Sequence, residues 1–237
     1  MSTKLREKMT IVIPAKNEED YIEGILTDIV SQENIRGVKV FVADGSSEDT
    51  TRKKVLRLKE LYAKEISIEL IEGGNVSKGR NAGLARVETP YVIFIDADVR
   101  LSSTSQIYDT YRCLLKKTLV GAKLRTHSSF LSSAVYSAFN FFNLMICKKR
   151  PFALGSYFAT RTSKIKDLGG WDESLVHSED WELSGKYSPK DYKLCKYPIL
   201  VDDRRFKRMG YFAMGKMLFL NLLIGREYRK KDNGYWN

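Results

Sequence analysis

YVIFIDADVR, residues 91–100, is the stretch on which the fold turns. Tyr91 to Ile95 are apolar and mostly β-branched or aromatic, the composition of a short strand covered on both faces. Asp96 and Asp98 follow at its carboxyl end, with Ala97 between them. A carboxylate beside a core is costly unless cations or hydrogen-bond donors stand close, so this strand end calls for positive charge around it. A divalent metal carrying a phosphorylated ligand supplies both. A local alternative has one aspartate capping a turn and the other pairing with Arg100.

Upstream, Thr10 to Pro14, Val38 to Ala43 and Ile66 to Ile71 read as three further strands. Between them run helical stripes. Ile22, Ile25, Leu26 and Ile29 lie within Glu18 to Gln32, and Val55, Leu58 and Tyr62 follow a Ser46/Asp49 pair that predicts a capping box. Val76 to Val87 then returns as a helix into the strand at Tyr91. This β-α-β order predicts an α/β fold, a Rossmann-like mixed sheet that is mostly parallel, with right-handed crossovers and flanking helices. Ligands of such sheets bind beyond the carboxyl ends of the strands, where the strand order reverses. Polar residues mark each of those ends: Lys16, Asn17 and Glu18; Asp44 and Ser46; Lys78, Arg80 and Asn81; Asp96 and Asp98.

Downstream, Ile107, Tyr111 and Leu114 continue the helical period, and Val120 to His127 reads as a strand. Phe130 to Cys147 carries Leu131, Val135, Phe139, Phe142 and Ile146 at helical spacing, which predicts a helix packed on the core. Gly155 to Arg161 resembles a strand with a small residue at its start. A turn at Gly169, Gly170 and Trp171 leads to a second acidic cluster, HSEDWE at 177–182, and Leu194 to Asp203 is a strand interrupted at Pro198.

With 237 residues the chain suits one large α/β domain, expected over 1–208, followed by an apolar and basic segment over 209–237. The net charge of +11 favours anionic partners. Three scattered cysteines argue against a disulfide framework and a zinc site, which points to a reducing, cytoplasmic setting. The amino end lacks a secretory apolar region, and no apolar run reaches the roughly 20 residues of a membrane span. Met209 to Ile224, followed by Arg226, Arg229, Lys230 and Lys231, fits a membrane-interfacial helix, a helix on the core or a contact with a second subunit.

Together, PAKNEE at 14–19, ADGSSEDT at 43–50, KGRNAGL at 78–84, DAD at 96–98, and GGWDES with SEDWEL after it resemble a family 2 glycosyltransferase of the GT-A fold. The resemblance runs in order from about Met9 to Arg208. It implies transfer of one sugar from a nucleotide diphosphate sugar, UDP- or GDP-linked, to an acceptor hydroxyl with inversion, aided by Mn²⁺ or Mg²⁺. By that resemblance Pro14, Lys16 and Glu18 border the nucleoside, and Asp44 meets the base edge. Arg80 contacts the base or phosphates, Asp96 holds the ribose beside Ala97, and Asp98 binds the metal. Asp180 is the catalytic base, and Glu179 and Trp181 face the acceptor, a saccharide or a lipid-linked one. Arg204, with Arg205, adds contacts to the diphosphate, unless the 204–208 knot is only a solvated basic face. Aromatic residues of the 130–147 helix could also line an acceptor groove.

The chain departs from the family pattern at Ala43, where many relatives carry an aspartate. It offers Asp202 and Asp203 where a metal-binding histidine is frequent. The Q-x-x-R-W signature of processive synthases is absent, which fits a single transfer per encounter. Two other classes compete: a nucleotidyltransferase of related sheet, disfavoured because PAKNEE has no phosphate-cradling glycine, and a non-catalytic basic module binding nucleic acid or membrane. The rim of carboxylates argues against nucleic acid.

Overall fold

The computed structural model of the chain describes residues 4–126, 128–202 and 210. The first hundred residues alternate as expected: β1 (Met9–Ala15), α1 (Ile22–Val30), β2 (Lys39–Asp44), α2 (Thr51–Leu61), β3 (Ser67–Glu72), α3 (Val76–Ala85) and β4 (Tyr91–Ile95). Then come β5 (Val99–Leu101), α4 (Gln106–Leu114), β6 (Leu119–Gly121), β7 (Leu124–Arg125) and α5 (Phe130–Ile146). The remainder is β8 (Tyr157–Arg161), α6 (Thr162–Asp167), α7 (Glu179–Ser184), β9 (Tyr192–Leu194) and β10 (Ile199–Val201).

Seven strands form the main sheet in the order β3-β2-β1-β4-β8-β6-β9. β1 pairs in parallel with both β2 and β4, so the strand order reverses between β1 and β4. β8 runs against both of its neighbours, β4 and β6. Because side chains alternate across a strand, the central strands feed two cores. Ile11, Ile13, Ile93 and Ile95 pack with Ile22 and Ile25 of α1, Val55 of α2 and Ile107 of α4. Val12, Val92 and Phe94 face the other way, toward Leu84 of α3, Ile165 of α6, Trp171 and Leu183 of α7. All these strand residues are fully buried, each contributing about 1.5–3 kcal/mol by leaving water.

Several local expectations are corrected. Ser46 sits in the left-handed region at φ 61° and does not cap α2; Asp49 accepts instead from the Thr51 amide, at 2.9 Å. α1 begins at Ile22, after a turn, rather than at Glu18. The single strands expected over Val120 to His127 and Leu194 to Asp203 are each split, giving β6 and β9 to the main sheet and β7 and β10 to a second one ordered β5-β10-β7. β5 and α6 were legible in no motif, being three and six residues long. Arg100 does not pair with its neighbouring aspartates but forks onto Asp28, with both bonds at 2.7 Å.

The largest correction concerns α5. Its stripe stays outside both cores: Leu131 and Phe142 are exposed, Val135, Phe139 and Ile146 are half-buried, with Phe139 edge-on to Phe152 at 6.1 Å, and Ser132 and Asn143 are the buried residues of the helix. Polar side chains tie this helix to the protein. Asn140 accepts from the Leu124 amide at 3.0 Å and donates to the Leu124 carbonyl at 2.7 Å, pairing with β7 as a neighbouring strand would. The three cysteines are buried and unpaired. No described helix is long and apolar enough to cross a membrane. Arg204, Arg205, Asp203 and the apolar and basic segment over 209–231 lie outside the described residues, apart from Gly210.

Candidate active site

The site is built at the carboxyl end of β4. α3 lies unusually close to β1, because a Cβ at Gly83 would come within 2.3 Å of Val12. The Asn75 side chain starts this helix by accepting from the Lys78 amide at 2.9 Å. The close approach lets Arg80 reach along the sheet toward the end of β4. Its guanidinium is 1% exposed and forks between two carboxylates, donating to Asp96 Oδ1 at 2.7 Å and to Glu179 Oε1 at 2.6 Å. The Trp171 ring stacks on it at 4.4 Å. Burial alone would lower the pKa of this guanidinium; the charges and hydrogen bonds of Asp96 and Glu179 outweigh it and raise the pKa.

The resemblance implied that Arg80 meets the base or phosphates and that Glu179 faces the acceptor. In the structure the two are bonded to each other, and the same guanidinium ties Asp96 to α7. Trp171 is held over Arg80 by Asn81, whose amide accepts from the Trp171 amide and donates to its carbonyl, both at 2.9 Å.

Next to Glu179, Asp180 accepts from the Gly155 amide at 2.9 Å through Oδ2 and from the Trp181 amide at 2.7 Å through Oδ1. Burial and the charge of Glu179 push its pKa up to about 7, although the two amides and Arg80 pull the other way. Gly155 is required here: a Cβ would lie 2.5 Å from Arg80 Nη2. It leads into β8, which runs antiparallel beside β4, and the Asp96 amide reaches the Ser156 carbonyl at 3.3 Å. Strand pairing thus brings Asp96, Arg80, Glu179 and Asp180 to one place. Trp181 is half-buried, with Arg150 over its ring at 4.6 Å and Phe152 edge-on at 5.0 Å. His177 is buried and shares a 3.4 Å contact with the Ser178 hydroxyl.

Asp98 lies in the turn between β4 and β5 and is half-buried. β10 pairs antiparallel with β5, with Val201 opposite Val99. Asp98 and Asp202 are the residues next beyond the last pair of that register. Among the described residues no three histidine, cysteine or acidic side chains converge. A pair of carboxylates with open positions suits a hard cation such as Mg²⁺ or Mn²⁺, which keeps waters or substrate phosphates in its shell.

At the reversal point, the loops after β1 and β2 are laced together. The Glu18 amide donates to the Thr51 hydroxyl at 2.8 Å, the Glu48 amide to Asn17 at 2.9 Å, and the Thr50 amide to Glu19 at 2.9 Å. Pro14 is buried opposite Ala43, whereas Lys16 is exposed at the lip. Asp44, expected at a base edge, is fully buried at the end of β2 and holds Arg52 Nη1 at 2.7 Å and the Ser47 hydroxyl at 2.5 Å. Arg52, Gly155, Trp171 and Arg150 were not singled out from sequence as site residues. GGW was read as a turn and a family motif with no role for Trp171, and Gly155 only as a small residue at a strand start, because nothing local shows which distant cation each packs against.

Comparison with known proteins follows this geometry. The model of the family described as "Glycosyl transferase family 2" matches residues 10–168. The chain is 37% identical over 97 residues to a teichoic acid poly(glycerol phosphate) polymerase of Staphylococcus epidermidis, covering 40% of this chain and 13% of that protein. It is 24% identical over 207 residues to the poly-beta-1,6-N-acetyl-D-glucosamine synthase of Staphylococcus aureus, covering 82% of this chain and 49% of that one. The chain therefore spans half or less of the length of these curated relatives. Among solved structures, a mannosyltransferase from Pyrobaculum calidifontis in complex with GDP-Man and Mn²⁺ superimposes with a TM-score of 0.70 at 20% identity, covering 90% of this chain and 65% of that one. S. aureus TarS residues 1–349 in complex with UDP-GlcNAc gives 0.61 at 19% identity, covering 82% and 58%.

Proposed function

This chain belongs to glycosyl transferase family 2 and has the GT-A fold, and on that premise we propose that it transfers a single sugar from a UDP- or GDP-sugar to an acceptor hydroxyl with inversion, Asp180 serving as the base. The observation that carries the reading is the position of Asp180: a carboxylate with its pKa pushed up to about 7, joined through Glu179 and Arg80 to the strand end that bears Asp96 and Asp98. A base whose pKa lies near the working pH is well matched to proton transfer.

In this reading the acceptor oxygen forms its bond to the anomeric carbon as the bond from that carbon to the donor phosphate oxygen breaks. The acceptor proton passes to Asp180, and the nucleoside diphosphate leaves. Attack from the side opposite the leaving group inverts the centre. Asp98, with Asp202 across the β5–β10 pair, would hold the divalent cation, and such a cation stabilises negative charge on the departing diphosphate. Asp96, held at one oxygen by Arg80, is fixed in orientation for the ribose hydroxyls. Pro14, Lys16 and Glu18, with Asp44 behind them, border the nucleoside at the reversal between β1 and β4. Neighbours solved with GDP-Man and with UDP-GlcNAc support a nucleotide sugar donor, and the poly-beta-1,6-N-acetyl-D-glucosamine made by one relative supports a saccharide acceptor.

A donor panel tests this. Full-length protein is assayed for nucleoside diphosphate release from UDP- and GDP-sugars with Mn²⁺ or Mg²⁺. Release that survives unchanged in both Asp98→Ala and Asp180→Asn refutes the assignment.

A further inference from the structure

α5 is an inside-out helix. None of its 17 residues is charged, yet its only buried residues are polar, and Val135, Phe139 and Ile146 beside them are half-buried. Ser132 and Asn143 are buried, Asn140 pairs with the Leu124 backbone, Asn143 donates to the Phe152 carbonyl at 3.3 Å, and Tyr136 donates to the Asp202 carbonyl at 3.4 Å. The opposite face carries Phe130, Leu131, Phe141, Phe142, Leu144 and Met145, all exposed, Phe130 at 91%. At 100° per residue these six, with exposed Ala134 and Ala138 between them, form one face interrupted only by the small Ser137. An apolar stripe of this size facing water marks an interaction surface. It is not a span, since no described helix is long and apolar enough to cross a membrane.

The charges around the stripe identify its occupant. Exposed Lys148 and Lys149 follow the end of α5. Lys123 and Arg125 share a cleft of about 350 Å³ with Ser133, Tyr136 and Ser137 of the same helix, and none of its described lining residues is acidic. The whole chain carries +11. A helix that presents a wide apolar face, has cations at its border and does not span is suited to lie in the headgroup region of an anionic bilayer.

We propose that α5 docks this protein on anionic membrane surfaces, Phe141, Phe142 and Met145 entering the acyl boundary while Lys148 and Lys149 meet lipid phosphates. This goes beyond the transfer reaction and does not depend on it. Tyr136 connects the same helix to Asp202, so docking would set the end of β5 that bears Asp98 close to the lipid headgroups.

The test is co-sedimentation of the full chain with vesicles of phosphatidylcholine alone and of phosphatidylcholine mixed with phosphatidylglycerol, with melting temperature and solution mass measured alongside. The wild type is expected to partition onto the mixed vesicles, with binding that weakens as salt is added. Phe141→Ser/Phe142→Ser should weaken it at least about tenfold, and Lys148→Ala/Lys149→Ala roughly 30-fold, both with an unchanged melting temperature. Equal sedimentation of wild type and both variants overturns the proposal. So does a wild-type dimer that the phenylalanine variant converts to monomer, which would assign the face to a second copy. A large fall in melting temperature in that variant, without vesicle binding by the wild type, would assign it to residues 211–237 of the same chain.

Discussion

Arg80 and Glu179 are 99 positions apart in sequence, yet they are joined by a 2.6 Å hydrogen bond from which solvent is almost wholly excluded. The same guanidinium holds Asp96 at 2.7 Å, so one side chain fixes the strand end of the proposed donor site against the helix that carries the proposed base. That coupling makes the site vulnerable at its centre as well as at the reacting groups.

Replacing Arg80 by methionine leaves buried Glu179 and half-buried Asp96 without the cation they share, and stability is expected to fall by about 3–5 kcal/mol. Arg80→Lys should recover little, since a single ammonium cannot fork between two carboxylates as the planar guanidinium does. Urea unfolding of the three proteins checks both statements; a lysine variant as stable as wild type would show that geometry at this position is unimportant.

Asp180→Asn removes the proposed base and should lower turnover by about 10²- to 10⁴-fold. In the wild type, turnover is expected to rise with pH and level off above about 7, as Asp180 loses its proton. Stability runs the other way. The folded-state pKa is raised above the ordinary 3.8, so the contribution of this group is fully present below about 3.8 and lost as pH rises through about 7. Parallel pH profiles of turnover and of unfolding midpoint test the pair of opposed slopes.

Gly155→Ala places a methyl group 2.5 Å from Arg80 Nη2, which must displace either the guanidinium or the amide that donates to Asp180. A stability loss of about 1–3 kcal/mol is expected, together with a shifted pH–turnover profile. Loss of stability with the profile unmoved would mean that the Gly155 amide does not tune Asp180.

Asp98→Asn should abolish the Mn²⁺-dependent rise in melting temperature that a nucleoside diphosphate gives the wild type, because a ligand bound only by the folded state stabilises it by mass action. The ligand-free melting temperature should stay within about 2 °C of wild type, Asp98 being half-buried in a turn. A metal-dependent shift retained at full size would move the cation to other ligands.

The parallel half of the sheet was legible because its information is local. YVIFI, TIVIP and VKVFVA are short runs that only a doubly covered strand would bury, and the helices between them carry the 3.6 period. The carboxylates at the strand ends followed directly. Residues 119–125 and 192–201 were less legible, since strands of two or three residues carry too little pattern to show that they divide between two sheets. The α5 stripe was read with the right period, but it lies at the border of the packed face, Val135, Phe139 and Ile146 half-buried and Leu131 and Phe142 exposed: periodicity reveals that a helix has two faces, not how deeply either is covered.

The sequence by itself determined the alternation of strands and helices over the first hundred residues, the acidic rim and the membership of the family, because each is written in neighbouring residues. Only the tertiary structure decided that Arg80 bonds to Asp96 and Glu179, that Asp44 takes Arg52, that β10 pairs with β5 next to Asp98, and that α5 leaves Phe130, Phe141 and Met145 facing outward. Those outcomes depend on which side chains meet across tens of residues, and burial and ion pairing belong to the groups that surround a residue rather than to the residue itself.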